Sequence, residues 1–332
     1  MSLRIDDKWL WDFWFAEDGE DIHIFYLQAD KALGDPEKRH WNVSVGHAVS
    51  TDMINWTILP DALHPSKQWR GDDEPFDSLT TWTGCVIREA GRWVMFYTGT
   101  MRSEKGLKQR IGRAESDDLV TWVKCADMSA FGADPAWYET LEDSEWYDQS
   151  WRDPWVFRCD KSHDWHMYLT AREKSGSSDG RGVVGHAVSK DLLHWQALPP
   201  VAAPGWYSEM EVPQVFHHKD RYYLIYSVPG RHIAKDHLGE YGLSAKTGTY
   251  YMVSDQQTGP YRHLTAESWI GDADHTLYAA RVLQRGDDAA YVFAFHNLDQ
   301  DGNFTGVISD PVAVETDEGA KLVPIPAHAF NK

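Results

Sequence analysis

One strand pattern recurs five times along this chain, and that recurrence limits the fold more than any other feature. The segments IHIFYLQ, WVMFYTG, WHMYLTA, YYLIYSV and YVFAFHN end at Gln28, Gly99, Ala171, Val228 and Asn297. Each carries the β-branched and aromatic content of a buried strand. Four of them are followed by a second element: VGHAVSTDMINW, IGRAESDDLVTW, VGHAVSKDLLHW and, more weakly, YYMVSDQQTGPY. The first three share Ser-x-Asp-x-x-x-Trp, beginning at Ser50, Ser116 and Ser189, and Ser254 holds the place in the fourth. All five are preceded by a third element: LWDFWF, TWTGCVI, RDPWVF, EVPQVF and LYAARVL. Each unit therefore reads as strand, strand, turn-linked strand and aromatic strand, with a period of roughly 60 to 70 residues. Four-stranded antiparallel sheets repeated radially make a propeller. A β-sandwich would also give many short strands, but not five copies of one ordered pattern. The expectation is an all-β chain, a single five-bladed β-propeller over residues 1–332 with no linker dividing it.

In such a meander the first strand of each blade lies innermost, against the central channel. The connections between strands two and three, and those between blades, then share one face. That face collects the longest insertions here, at 61–80, 126–150 and 229–250. Long loops on a rigid scaffold are where binding sites sit. Asp12, Asp153 and Glu211 fall at the starts of innermost strands, at what reads as one repeat position in blades one, three and four. Converging carboxylates raise one another's pKa and are costly to desolvate. A lone acid at such a place is most simply a solvated turn residue or the partner of a base such as Arg152. Three together suit the cleavage of a glycosidic bond, which needs one ionised and one protonated carboxyl.

The composition agrees with a neutral, flat-faced ligand. The chain has 332 residues and a formal net charge of −19. An acidic surface repels phosphate backbones and anionic lipid, so neither nucleic acid nor a membrane is an expected partner. The aromatic supply is large, with 17 Trp, 15 Tyr and 12 Phe, enough for a β core and for walls around a sugar. Cys85, Cys125 and Cys159 are odd in number and far apart, and read as reduced thiols. Together with an N-terminus, MSLRIDDKWLWDF, that lacks an apolar run of signal length, this gives a cytoplasmic expectation. Asp272, Asp274 and His275 in GDADH are read as a solvated turn, not a calcium site, so neither metal nor cofactor is expected.

At its acidic motifs the chain resembles the clan of retaining fructosidases, the invertase-like and levansucrase-like five-bladed propeller glycoside hydrolases. Trp11-Asp12-Phe13-Trp14 is similar to the levansucrase form Trp-Asp-x-Trp, Arg152-Asp153-Pro154 to Arg-Asp-Pro, and Glu209-Met210-Glu211-Val212-Pro213 to Glu-x-Glu-x-Pro. Trp82-Thr83-Gly84 resembles a Trp-Ser-Gly element that lines the fructosyl pocket. The resemblance implies Asp12 as nucleophile, Asp153 as transition-state stabiliser and Glu211 as acid/base. It further implies Trp11, Trp14, Trp82, Thr83, Arg152, Glu209, Arg231 and Tyr278 as substrate-binding residues, with Tyr278 orienting the acid/base group. The implied substrate is a β-fructofuranoside, sucrose or a fructo-oligosaccharide, with hydrolysis or fructosyl transfer as outcome. The chain departs from invertases in lacking the Asn-Asp-Pro-Asn form of the first motif. The alternatives are an inverting arabinanase- or xylosidase-like propeller, and a non-catalytic carbohydrate-binding or protein-interaction propeller.

Overall fold

The computed structural model of the protein describes residues 2–144, 146–241, 245–286 and 289–330. Twenty strands form five four-stranded antiparallel sheets. Blade one holds β1 (Lys8–Asp18), β2 (Asp21–Asp30), β3 (Ser44–Ser50) and β4 (Thr57–Leu63). Blade two holds β5 (Thr80–Glu89), β6 (Arg92–Thr100), β7 (Gln109–Ser116) and β8 (Val123–Lys124). Blade three holds β9 (Trp151–Arg158), β10 (Trp165–Arg172), β11 (Gly182–Ser189) and β12 (Trp195–Ala202). Blade four holds β13 (Glu211–His218), β14 (Arg221–Val228), β15 (Thr247–Ser254) and β16 (Ile270–Asp272). Blade five holds β17 (Leu277–Arg285), β18 (Ala289–Leu298), β19 (Phe304–Ile308) and β20 (Val312–Ala313). In the first four blades the strands pair in chain order; in the fifth, β20 pairs with β18. This is the five-bladed β-propeller that the repeat predicts.

Burial explains which repeat segments were easy to see. Strand two of a blade is covered on both faces by the neighbouring blades, so β2 is buried along its whole interior and reads as a continuous apolar run. The outermost strands are half-solvated: β4 is largely exposed, and their sequences are correspondingly mixed. The Ser-x-Asp-x-x-x-Trp element closes the turn from strand three to strand four. In blade one, Ser50 Oγ accepts from the backbone N–H of Met53 at 3.0 Å, and Asp52 Oδ1 accepts from those of Ile54 and Asn55 at 2.9 and 2.7 Å. Asp118 and Asp191 repeat the arrangement in blades two and three. The loop side chains thus satisfy backbone donors that a turn leaves unpaired. Where strand one meets strand two in blade two, Ala90 and Gly91 both take positive φ, 50° and 83°, as a two-residue hairpin of the right twist requires.

The ring is closed by the N-terminal segment. Leu3 forms an antiparallel bridge with Ile308 at the end of β19, and its carbonyl accepts from the Ile308 N–H at 3.1 Å. Arg285 at the end of β17 reaches Glu17 of β1 at 2.8 Å. First and last blades are thereby tied by backbone and by charge.

Candidate active site

A β-bulge in every innermost strand builds the site. In β1 the register slips between Trp11 and Phe13, and in β5 between Trp82 and Gly84. The same slip spans Arg152 to Trp155 in β9, Glu211 to Gln214 in β13 and Tyr278 to Arg281 in β17. Two residues then oppose one, and a strand that would alternate its side chains can present two in succession to one side. The pairs are Trp11–Asp12, Trp82–Thr83, Arg152–Asp153, Glu211–Val212 and Tyr278–Ala279. All but Ala279 line a single cavity of about 760 Å³ at the start of the channel. Asp12, Asp153, Val212 and Ala279 hold positive φ of 25°, 58°, 46° and 48°. This is unfavourable for residues with a Cβ, by about 1–3 kcal/mol each, and strain of this kind gathers at functional sites.

The bulges correct one expectation. Asp12 and Asp153 occupy equivalent places, but Glu211 does not share them: it stands one position earlier, with Trp11, Trp82, Arg152 and Tyr278. Val212 is the blade-four counterpart of Asp12. Because both residues of a bulged pair face the cavity, all three acids still converge.

Each acid has its own partners. Asp12 accepts from Thr83 Oγ1 at 2.9 Å. Asp153 accepts from Thr170 Oγ1 at 2.7 Å and from the backbone N–H of Val212 at 3.2 Å. Glu211 accepts from Arg152 Nη2 at 2.7 Å on one oxygen and from the Tyr278 hydroxyl on the other. Arg152 Nη2 also donates to Glu209 at 2.8 Å. Glu209 is fully buried and further held by Ser150 and Tyr147 at 3.0 and 2.9 Å. It does not line the cavity. The resemblance put Glu209 against the sugar; the structure puts it behind Arg152, fixing the guanidinium.

Trp14 is also displaced from its expected place. It lies below the bulge, 1% exposed and stacked on Phe25, and it faces the other end of the channel. Trp11 and Trp82 do reach the cavity, and Arg231 sits exposed at its rim. Sequence reading missed Arg39, His40 and Trp41, which enter from a 3₁₀ turn, Pro36–Trp41, between β2 and β3. It also missed Gln109, Asp148 and His275. The signal for the first group was present, since a charged and aromatic loop joins strands two and three on the predicted face. His275 belongs to the GDADH turn, in which Asp272 accepts from the Thr276 N–H at 3.0 Å.

The electrostatics arise from crowding. Asp12 and Glu211 are half-buried, each with a face on the cavity. Burial raises the Asp12 carboxyl from 3.8 to about 7, and Asp153 and Glu211 push the same way, against Thr83 and Arg281. Burial also raises Glu211, with Glu209 and Asp153 adding to it and Arg152 and Tyr278 opposing. Burial disfavours the Glu209 anion too, but Arg152, His232 and two hydrogen bonds outweigh it and hold that carboxyl down near 2. Burial and like charge thus disfavour the anions of both Asp12 and Glu211, while Glu209 remains an anion. His40 is held neutral, pushed down to about 3 by burial and by Arg39 and Arg152.

A five-bladed propeller with three carboxylic acids converging on one cavity, walled by indole rings, defines a class: scaffolds suited to acid–base cleavage of a neutral ligand. Residues 15–324 match the N-terminal domain of glycosyl hydrolases family 32, and the chain belongs to that family. The match begins just past the Trp11–Trp14 motif. The chain is similar to a 6(G)-fructosyltransferase of Asparagus officinalis, 32% identical over 187 residues that cover 54% of this chain and 27% of that protein. It is also similar to a levansucrase of Rahnella aquatilis, 24% identical over 301 residues, 80% of this chain and 68% of that one. The matched stretch thus spans under a third of the plant relatives, 27% of the Asparagus protein and 29% of an Arabidopsis thaliana β-fructofuranosidase. An inulosucrase of Halalkalicoccus jeotgali, solved with kestose bound, shares the fold with a TM-score of 0.74 over 98% of this chain and 92% of that one, at 21% identity. A B. subtilis levansucrase does so with a TM-score of 0.74 over 96% and 86%, at 14% identity.

Proposed function

We propose that this chain cleaves β-linked fructofuranosides, sucrose or fructo-oligosaccharides, by a retaining double displacement, and passes the fructosyl unit to water or to a sugar hydroxyl. The observation that carries the reading is that Asp12 and Glu211 face one cavity from different blades with unlike partners. Asp12 is held by a single hydroxyl, Thr83, with its carboxylate directed at the cavity. Glu211 is gripped by Arg152 and Tyr278. A carboxyl so oriented can deliver a proton to the leaving oxygen.

In the first step Asp12 attacks the anomeric C2 and the C2–O bond breaks, its electrons going to the oxygen that Glu211 protonates. In the second, Glu211 as base takes a proton from water or a hydroxyl, whose oxygen displaces Asp12 from C2. Asp153 and Arg152 hold ring hydroxyls, and such contacts help most if they tighten as positive charge develops on the sugar. Trp11 and Trp82 wall the ring, and Arg231 stands where the leaving group departs.

Product analysis by NMR after incubation with sucrose, inulin and levan tests the proposal, with arabinan and xylan oligomers alongside. Free fructose of retained configuration, or new fructosyl–fructose linkages, is expected. Asp12→Asn should lower turnover by roughly a thousandfold or more with an unchanged circular-dichroism spectrum. Silence on every fructoside with cleavage of arabinosyl or xylosyl bonds would overturn the reading.

A further inference from the structure

Beneath the bulges lies a layer formed by Trp14, Cys85, Trp155, Gln214 and Arg281, the residues two positions after each bulge. Arg281 is 1% exposed there. It donates one hydrogen bond, Nη1 to the Pro213 carbonyl at 2.8 Å, and lies 5.6 Å from the Trp155 ring centre. Its Nε and Nη2 have no hydrogen-bond partner among the described residues, and neither do the indole N–H groups of Trp14 and Trp155 beside it. Among the described residues, no carboxylate forms an ion pair with it. A guanidinium buried without a salt bridge costs several kcal/mol, and a core that needed only filling would use an apolar side chain. Burial disfavours the cation and lowers its pKa, and Asp153 and Asp12 in the layer above oppose that shift.

We propose that Arg281 is a positioning residue of this site, a fixed buried cation that balances the crowded carboxylates Asp12 and Asp153 from the layer beneath them. The inference rests on Asp12 being the reacting carboxylate. The charged groups around Asp12 make the need plain. Asp153 of β9 and Glu211 of β13 oppose its ionisation; Arg281 of β17 favours it, with the Thr83 hydroxyl of β5. Arg39 of the 3₁₀ turn also feels the Asp12 charge from the rim, and Tyr278 of β17 from the side. Arg152 is shared among Glu209, Glu211 and Asp153, its Nε lying 3.6 Å from the Asp153 carboxylate, so Asp12 is the one of the three converging acids that it does not pair. Arg281 lies beneath Asp12 and, among the described residues, has no carboxylate partner of its own. Being almost wholly buried, it acts in a medium where charge is poorly screened and costs no reorganisation when the ligand enters.

Arg281→Met removes the charge at similar length, and Arg281→Lys keeps it. The titration of the Asp12 carboxyl is followed by ¹³C NMR in protein labelled at aspartate Cγ, with Asp12→Asn assigning the signal. In Arg281→Met the midpoint should rise by about one pH unit. The acid limb of kcat/KM should move with it, a further loss of about tenfold at pH 6 relative to the plateau. Arg281→Lys should return both toward the parent. If Arg281→Met does not fold, Arg281→Gln, which can keep the bond to Pro213, takes its place. A midpoint that stays put in the folded neutral variant overturns the proposal, as does a loss of activity equal at all pH values. The carboxyl titration needs no sugar, so failure to cleave fructosides would sink the proposed function while leaving the Arg281 result to be read separately.

Discussion

At the scale of single residues, Asp12 sets function against stability. Its folded carboxyl titrates at about 7 against 3.8 for the free group, chiefly through burial. Between those values the folded chain holds a proton that the unfolded chain has released. Folding stability therefore falls as pH rises from about 4 to about 7 and is then flat. The shift corresponds to on the order of 4 kcal/mol at pH 8. Asp12→Asn removes the penalty and can keep the hydrogen bond from Thr83. It should raise Tm by several degrees at pH 8, a gain that shrinks toward zero near pH 4, in thermal scans at the two pH values. A gain independent of pH would show that relief of some other strain was responsible. That Asp12 stands at the mouth of the channel was legible in Trp11-Asp12-Phe13-Trp14. Which indole faces the ligand was not. Trp11 and Trp14 are equally aromatic and both close to the acid in sequence, and only the bulge between them decides that Trp11 faces the cavity and Trp14 the layer beneath it.

At the scale of elements, the bulge is the unit that matters, and it depends on the residue next in the strand. Gly84 succeeds Thr83 in β5, and a Cβ there would lie 2.3 Å from the Phe96 carbonyl oxygen and 3.3 Å from its carbon. Those are backbone atoms of β6 and cannot step aside. Gly84→Ala should therefore cost at least about 2 kcal/mol in urea unfolding. It should also weaken ligand binding, because Thr83 and its bond to Asp12 shift with the strand. A variant of parental stability would mean that β6 yields more easily than a paired strand should. The Ser-x-Asp-x-x-x-Trp turns were visible without the structure, since their side-chain hydrogen bonds are local and repeat with the motif. The bulges were not. A bulge inserts a residue without a composition of its own, so the repeat aligned Glu211 with Asp12 although the register aligns Val212 with it.

For the whole molecule, closure of the ring decides stability. Leu3 is buried against the last blade and bridges Ile308. Leu3→Asp places a charge in that seam and should cost about 2–4 kcal/mol. Hydrogen exchange should show protection lost first in blades one and five, with blade three unaffected at first. Uniform loss around the ring would mean that the propeller opens as one cooperative unit and not from the seam. Closure also sets the site, since Asp12 and Tyr278 come from the two blades that the seam joins. The cavity's rim is assembled at this scale too. Arg39 and His40 from blade one meet Tyr147 and Asp148 from the loop before blade three, and no local pattern links residues so far apart in the chain.

Periodicity by itself determined the five blades, the order of their strands and the face that carries the site, because burial on both sides of inner strands and solvation of outer ones write themselves into composition. It also marked Asp12, Arg152, Asp153 and Glu211 as acids and a base gathered at one end of the channel. Only the tertiary structure decided that Glu209 supports Arg152 from behind, that Trp14 leaves the cavity and that Arg281 stands beneath it. The last two depend on a register slip of one residue in an inner strand. Such a slip re-aims a side chain by a full face of the sheet while leaving the residue types in the sequence unchanged.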